Sequence, residues 1–445
     1  MDKKNVKQIR RREFLKGVSV AVGGIAGLPS IVPSSALGGG GAVAPSERIV
    51  MGCIGVGGQG TGNMRAFLNR RDMRVISVCD VDAKHRSRAA GIVNSKYKNK
   101  DCAAFNDFRE LLANDTVDTV TVCTPDHWHG LASIAAAAAG KDIYCEKPLT
   151  NTVAEGKAVY DAVRRYGRVL QTGSHERSRP NARLACELVR NGRIGKLHTI
   201  EINLPCNQGH HMAVRNDKTV HAPMPIPQGF EYNMWLGHCP EAPYTQKRCH
   251  FSWRFVLDHG GGEMTDRGAH VIDLGQLGNG TDHTTPISYQ ATGTLPEGGS
   301  NLWNTFFNYR FECMYANGVR MIGTSDSPRG VKFVGDDGWI FIHVHGGNLQ
   351  ASDTNILRQK VGAGEIQLGR SPGHHADFIN CVKSRSQPFA SVEIGYHTAV
   401  ICHLLNISIQ LGGRKLNWNP KKGEVIGDEQ ANRMLTRPMR SPWSL

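Results

Sequence analysis

The sequence lacks the features that would settle its class at a glance. Its twelve cysteines form no C-x-x-C pair, which excludes the usual zinc-ribbon and thioredoxin-like motifs. Beyond residue 37 no lysine or arginine run interleaves with aromatics, so a nucleic-acid-binding stripe is not expected. Charged residues make up 21% and apolar residues 40%, a balance that excludes a disordered chain and supplies sizeable cores. No internal repeat occurs, and low complexity is confined to GGGGA at 38–42, which reads as a linker. No metal is expected either: His210, His211, His221 and His250 add imidazoles, but in no zinc spacing.

What is present begins at the N-terminus. RRREFLKG (10–17) precedes the weakly apolar VSVAVGGIAGLPSIV, uninterrupted by an acid. A twin arginine followed by Phe-Leu-Lys and a modest apolar stretch reads as a twin-arginine export signal. The stretch is too short and glycine-rich for a comfortable membrane span. Residues 1–44 therefore read as signal and linker, with cleavage expected near Ser34-Ser35-Ala36. The expected partner is the twin-arginine export machinery, and the expected destination is periplasmic or exported. Setting aside the seven basic and two acidic residues of the first 37 leaves 46 against 37, so the net charge of +14 falls to +9. That is a solvated basic surface.

A length of 445 residues favours two or three domains. RIVMGCIG (48–55), RVISVCD (74–80), VDTVTVCTP (117–125), KDIYCEKP (141–148) and GRVLQTGS (167–174) alternate with helical stretches. Near-continuous β-branched strands joined by crossover helices specify an α/β, doubly wound parallel sheet of the Rossmann type, over 45–172. Cys53, Cys79, Cys123 and Cys145 sit in these strands as small hydrophobes, whereas Cys206, Cys239 and Cys249 fall in loop-like sequence and are available for one bridge. LHTIEINLP (197–205) reads as a strand and 206–250 as an irregular insertion that builds binding surface. FFNYRFECMY (306–315) alternates strictly, as a half-buried strand of an open sheet does. With two late helices, HHADFINCVKS and VEIGYHTAVICHLLNISIQLG, residues 173–418 read as an α+β domain with an open, mostly antiparallel sheet, followed by a polar tail over 419–445.

Gly55-Val56-Gly57-Gly58-Gln59-Gly60 is a G-x-G-x-x-G between a strand and a helix. Gly55 allows the tight turn, Gly57 lets backbone N–H groups approach a pyrophosphate, and Gly60 permits close helix–strand packing, with Gln59 in the same loop. Asp80, at the end of the second strand, suits a ribose 2′-hydroxyl and repels a 2′-phosphate. NAD is therefore expected over NADP, although Lys84, Arg86 and Arg88 follow closely. TPDHWHG (124–130) and CEKPL (145–149) end two further strands on the carboxyl edge, where an open sheet binds its ligand. Thr124 and Pro125 are expected beside the nicotinamide ribose and His129 beside the ring, while His127 reads as helix-start packing. Glu146 joins the cofactor-facing set. Lys147, partly desolvated there, suits an acid or base; its bland alternative is a surface salt bridge to Glu146. Pro148 is a candidate cis proline.

GGGEMTDRGAH (260–270) carries the remaining chemistry. If 264–278 is one helix, Asp266 and His270 share a face, with Asp273 a turn further on. A histidine flanked by carboxylates has its tautomer fixed and its pKa raised, as a general base for a sugar hydroxyl needs. By spacing alone, however, a core histidine behind a helix start is the favoured reading. QTGSHERS (171–178) places Arg177 near a substrate hydroxyl or carboxylate, and HFSWRF (250–255) offers Trp253 as a stacking face and Arg254 as a bidentate donor. Either arginine alternatively pairs with a structural carboxylate.

Taken in order, GVGGQG, CDVD, CTPDHWH, CEKPL, QTGSHERS and GGEMTDRGAH resemble the Gfo/Idh/MocA oxidoreductases, from about residue 48 to the end. With its N-terminal signal the chain is similar to the twin-arginine-exported branch. The resemblance implies a second-domain sheet covering a nicotinamide, catalysis by Lys147, Asp266 and His270, and a sugar, cyclitol or glycoside oxidised at a secondary hydroxyl. Free NAD is scarce outside the cytoplasm and this export route carries folded proteins, so the cofactor is expected to travel tightly bound. Some relatives are NAD-dependent glycoside hydrolases that oxidise, eliminate and re-reduce in a redox-neutral cycle, and that is the alternative reading. By analogy the open sheet implies a homo-oligomer.

Overall fold

The alternating apolar runs that begin at residue 49 build a parallel sheet in the computed structural model, which describes residues 43–207 and 209–445. The export-signal reading lies outside the described residues. Pro45–Glu47 forms a short 3-10 turn, and residues 49–445 form one unit. Its first sheet comprises β1 (Ile49–Ile54), β2 (Met73–Cys79), β3 (Ala103–Phe105), β4 (Thr119–Val122), β5 (Asp142–Cys145) and β6 (Leu170–Thr172), in the order β3-β2-β1-β4-β5-β6. Every pairing is parallel. Five of these strands are those read from sequence. β3 is only Ala-Ala-Phe, too short for any periodicity, and it exists because β2 offers it a parallel edge. The crossovers are α1 (Gly58–Leu68), α2 (Ala83–Tyr97), α3 (Phe108–Leu112), α4 (Asp126–Ala138) and α5 (Val153–Arg165). Strand order reverses between β1 and β4, which opens a crevice at the carboxyl edge.

The second part starts with α6 (Pro180–Arg190) and β7 (Leu197–Asn203), then α7 (Gly209–Arg215), α8 (Tyr232–Leu236), α9 (Glu263–Asp266) and α10 (Gly268–Asn279). The strands β8 (Ser288–Thr294), β9 (Phe307–Met314), β10 (Arg320–Thr324), β11 (Gly330–Gly335), β12 (Gly338–His343) and β13 (Leu349–Ala351) follow. After them come α11 (His374–Ser384), α12 (Val392–Gln410), β14 (Leu416–Asn419), β15 (Glu424–Val425) and α13 (Glu429–Arg433). The nine strands run β13-β12-β11-β7-β10-β9-β8-β14-β15, antiparallel except for β7 against β10. β9 keeps the expected alternation: Phe307, Tyr309, Phe311 and Cys313 are buried, and Asn308, Arg310 and Glu312 are exposed. Its apolar side packs on Val271 and Leu274 of α10 and on Val400 and Leu404 of α12. The 19-residue α12 is apolar enough to cross a membrane, but 83% of that window is buried in this core.

Two features depart from a linear reading of the chain. α11, late in sequence, lays Phe378 and Ile379 against Met51, Cys53 and Val75 of the first sheet. Residues 419–445 are part of the fold, with Val425 and Ala431 in the second core and the Trp443 ring edge-on to Trp128 at 4.9 Å. No bridge forms among the three loop cysteines. Cys206, Cys239 and Cys249 are free and buried, because Cys206 packs with Phe255 and Phe307 whereas Cys249 packs with Tyr232 and Trp253.

Arg177 is also displaced from its expected role. Its guanidinium is buried, with Nε 2.6 Å from Asp273 Oδ2 and Nη2 2.5 Å from Asp282 Oδ1. It is a structural cation that ties the turn after β6 to α10, not a substrate ligand. Burial pushes the Asp273 carboxyl up to about 6 despite the opposing Arg177 charge. Replacing Arg177 with Met would leave two acids without their counter-ion, and is expected to cost about 3–5 kcal/mol of stability in chemical denaturation; a loss below about 1 kcal/mol would contradict this role.

Candidate active site

The glycine loop shows which positions the fold demands and which it leaves open. Gly55 has φ +76°, and a Cβ there would lie 2.7 Å from the Cys123 carbonyl. A Cβ on Gly60 would lie 1.9 Å from the Gly55 oxygen. Around Gly57, by contrast, only the His85 ring comes within 4 Å, at 3.8 Å. Packing therefore requires Gly55 and Gly60, while Gly57 leaves room for something else. That room belongs to a cavity of about 650 Å³, a size suited to a small ligand or cofactor.

Asp80 lies at the end of β2 on the cavity wall. Its Oδ2 accepts from Val56 N at 2.8 Å and its Oδ1 from Asp82 N at 2.9 Å, which fixes the carboxylate beside the loop. Arg86 donates to the Asp80 carbonyl, and Arg88 Nη2 donates to the Val56 carbonyl at 3.0 Å. Two of the three basic residues that could favour a 2′-phosphate are thus engaged by backbone.

On the carboxyl edge, Thr124, Pro125, His129, Glu146 and Lys147 all line the same cavity. The Thr124 hydroxyl is buried without a partner. His129 Nδ1 lies 2.7 Å from the Pro148 carbonyl, which ties the two motifs together, and its Nε2 lies 3.0 Å from the Thr124 carbonyl. Glu146 accepts from Gln59 Nε2 at 3.1 Å and from Asn63 Nδ2 at 2.7 Å, bracing the glycine loop against β5. His127, in the first turn of α4, is buried, with Nε2 2.8 Å from the Trp235 carbonyl.

Lys147, followed by the anticipated cis proline, does not pair with Glu146. Its Nζ lies 2.5 Å from Asp266 Oδ1 and 2.9 Å from the Asp266 carbonyl, reaching the second domain. Burial pushes the Asp266 carboxyl up, but the Lys147, Arg254 and Arg267 charges outweigh it and hold the group well below the usual carboxylate range. Arg254 is not the free bidentate donor expected. Its guanidinium stacks 4.3 Å from the Trp253 ring centroid, covering the face read from sequence as a stacking surface, and its Nε lies 3.5 Å from Asp266 Oδ1.

The segment 264–278 is not one helix. α9 ends at Asp266, and His270 N donates to the Arg267 carbonyl at 2.9 Å, a tightened turn that resets the register before α10. Asp266 therefore turns to Lys147, and Asp273 is taken by Arg177, so His270 has no carboxylate flank. Its pKa moves opposite to expectation. Burial, then the Lys147, His175 and His345 charges, hold it well below the ordinary histidine value. The imidazole is neutral, with a buried Nδ1 that lacks a hydrogen-bond partner. That is the form a proton acceptor needs.

Three cavity residues escaped sequence reasoning. His175 and His345 place their rings 4.6 and 5.0 Å from His270. His175 lies in the same QTGSHERS motif that singled out Arg177, two positions away, and His345 comes from the turn after β12, which no local pattern links to the site. Asp126 opens α4, and its burial pushes the carboxyl well above the ordinary value against the Arg254 charge. Among the described residues three groups bring candidate metal-ligand atoms within 4.8 Å of one another: His175–His270–His345, Asp82–His85–His250 and His127–Cys239–His259.

A Rossmann sheet whose glycine loop, edge lysine and second-domain histidine share one cavity defines a two-domain, dinucleotide-binding oxidoreductase. The chain belongs to the Gfo/Idh/MocA oxidoreductase family: residues 49–174 match its NAD-binding Rossmann fold and residues 182–445 its C-terminal alpha/beta domain. It is similar to levoglucosan dehydrogenase of Pseudarthrobacter phenanthrenivorans, 39% identical over 38% of this chain and 35% of that one. It is also similar to alpha-N-acetylgalactosaminidase of Shewanella oneidensis, 31% identical over 35% of this chain and 37% of that one. The matches thus span little more than a third of either relative. In fold it resembles the WlbA dehydrogenase of Bordetella pertussis, solved with NADH and UDP-GlcNAcA, with a TM-score of 0.61 and 15% identity over 84% of this chain and 99% of that one.

A depressed His270 pKa keeps the accepting form populated at low pH. Turnover is expected to hold as pH falls through the ordinary histidine range near about 6.5, with its acid limb lower; a limb centred in that range would contradict the geometry.

Proposed function

We propose that the chain is an NAD(H)-dependent oxidoreductase acting on a secondary hydroxyl of a sugar, cyclitol or glycoside, with its cofactor tightly held. The observation that carries this reading is Lys147 meeting Asp266 at 2.5 Å in one cavity with the neutral His270 and the glycine loop. Bound NAD would supply a hydride acceptor at that edge. The loop around Gly57 and the start of α1 suit its pyrophosphate, and Asp80 its ribose; the commitment of Arg86 and Arg88 to backbone carbonyls supports NAD over NADP. An ammonium has three N–H donors, and Asp266 accepts two from Lys147. The third is available to a substrate oxygen, whose proton passes to His270.

The similarity to alpha-N-acetylgalactosaminidase favours one alternative, a redox-neutral glycoside hydrolase that uses the same residues to oxidise and re-reduce one sugar. Incubation with a glycoside panel and no added NAD separates the two. Aglycone release over many turnovers indicates the hydrolase, and a single stoichiometric NADH burst the dehydrogenase. In either case Lys147→Ala and His270→Ala are expected to lower turnover about 10²–10⁴-fold while keeping bound nicotinamide, read by its absorbance; unchanged rates would overturn the assignment.

We further infer that the protein is periplasmic, carried there folded by the twin-arginine machinery. RRREFLKG supports this. Arg11→Lys with Arg12→Lys is expected to retain the chain in the cytoplasmic fraction, and undiminished export would refute the route.

A further inference from the structure

We propose that His127, Cys239 and His259 form a binding site for one divalent transition-metal ion of the zinc type, which fastens the irregular insertion onto the start of α4. The three residues come from distant stretches: the first turn of α4, the loop after α8 and the loop before α9. Their ligand atoms nevertheless lie within 4.8 Å of one another, and all three side chains are buried.

Several buried ring nitrogens here have no hydrogen-bond partner. His259 is 1% exposed, yet neither of its ring nitrogens has a hydrogen-bond partner. His127 Nε2 lies 2.8 Å from the Trp235 carbonyl. As the N–H donor it fixes the tautomer and leaves the lone pair on Nδ1, which is buried and unpartnered. Anchoring a ligand ring through its second nitrogen in this way is how proteins orient metal-binding histidines. Cys239 Sγ has the Asp258 carbonyl at 3.0 Å. Beside the trio, His238 carries a further unpartnered Nδ1, its ring centroid 5.9 Å from that of His127. A buried polar atom without a partner is uncommon. Four nitrogens in that condition on three adjoining rings, beside a thiol, mark a place built for a cation.

Two nitrogens and one sulfur are the donors zinc takes, usually with four ligands. On binding, the Cys239 S–H bond breaks, its proton leaves to solvent and a sulfur–metal bond forms; no atom changes oxidation state. The other two candidate groups differ in kind, since His345 is exposed and His85 and His250 face the Asp80 and Asp82 carboxylates. The metal site is structural: Trp235, whose carbonyl holds both His127 and Trp128, lines the cavity, so the ion would brace that wall. It stands independently of the redox reading.

The test is metal content and cobalt spectroscopy of the full-length protein. Wild-type protein from zinc-supplemented medium is expected to retain about one equivalent of zinc after desalting. Cobalt added to chelator-treated protein is expected to give a thiolate-to-cobalt charge-transfer band. Cys239→Ser should lose that band, and His345→Ala should keep it, which separates this site from the sulfur-free cluster at His270. Should Cys239→Ser fail to fold, X-ray absorption of the wild-type metal site decides, with one sulfur in the shell expected. Folded wild-type protein with neither retained zinc nor a charge-transfer band, or a band that survives Cys239→Ser, would overturn the proposal.

Discussion

Lys147 and Asp266 come from the edge of one sheet and the glycine-led turn of another part of the chain, and their contact organises the site around it. Asp266 is ringed by Lys147, Arg254 and Arg267, three cations on one carboxylate. Such a largely buried cluster is held at a desolvation cost that only close geometry offsets. Its net positive field favours negative charge developing on a nearby oxygen, which is the electrostatic work that a hydroxyl oxidation asks of a site. Because Asp266 is committed to Lys147, it cannot also flank His270, and the histidine is left neutral. Burial keeps the proposed base neutral, and the Lys147 charge reinforces it.

Two buried acid–base systems lie a few residues apart on the same segment and do opposite things. Asp266 faces the cavity with an excess of cations around it. Asp273 faces away, balanced against Arg177 and shared with Asp282. The tightened turn at Arg267 separates them. An unbroken helix would bring Asp266, His270 and Asp273 onto one face and blur the catalytic charge with the structural one.

Much of this was legible in the sequence because it is written in short spans. A glycine pattern between a strand and a helix, an acid closing the next strand and a lysine closing another each need only local regularity, and the parallel sheet orders them along one edge. β9 was legible for the same reason, since alternation is a property of neighbouring residues. Other features depend on partners distant in the chain. Arg177 looked like a substrate ligand because nothing near it in sequence announces Asp273 or Asp282. His345 reaches the cavity from a turn on the second sheet, and Cys239 meets His127 and His259 only after the insertion has wrapped around α4. The direction of the His270 pKa shift failed for a related reason: spacing counted the carboxylates on one imagined helix, whereas burial and neighbouring cations decided the outcome.

The position of α11 bears on how the chain is made. Phe378 and Ile379 join Met51, Cys53 and Val75 in a core that Phe67 of α1 and Val93 of α2 also line, so the first strands to leave the ribosome complete their packing late. Until residue 384 has emerged, the face lined by α1 and α2 lacks its third helix, although the last strand of that sheet was synthesised some two hundred residues earlier. The dinucleotide half is therefore not a module that matures first and waits for the rest. Its completion comes near the end of translation, and the two halves reach their final form together.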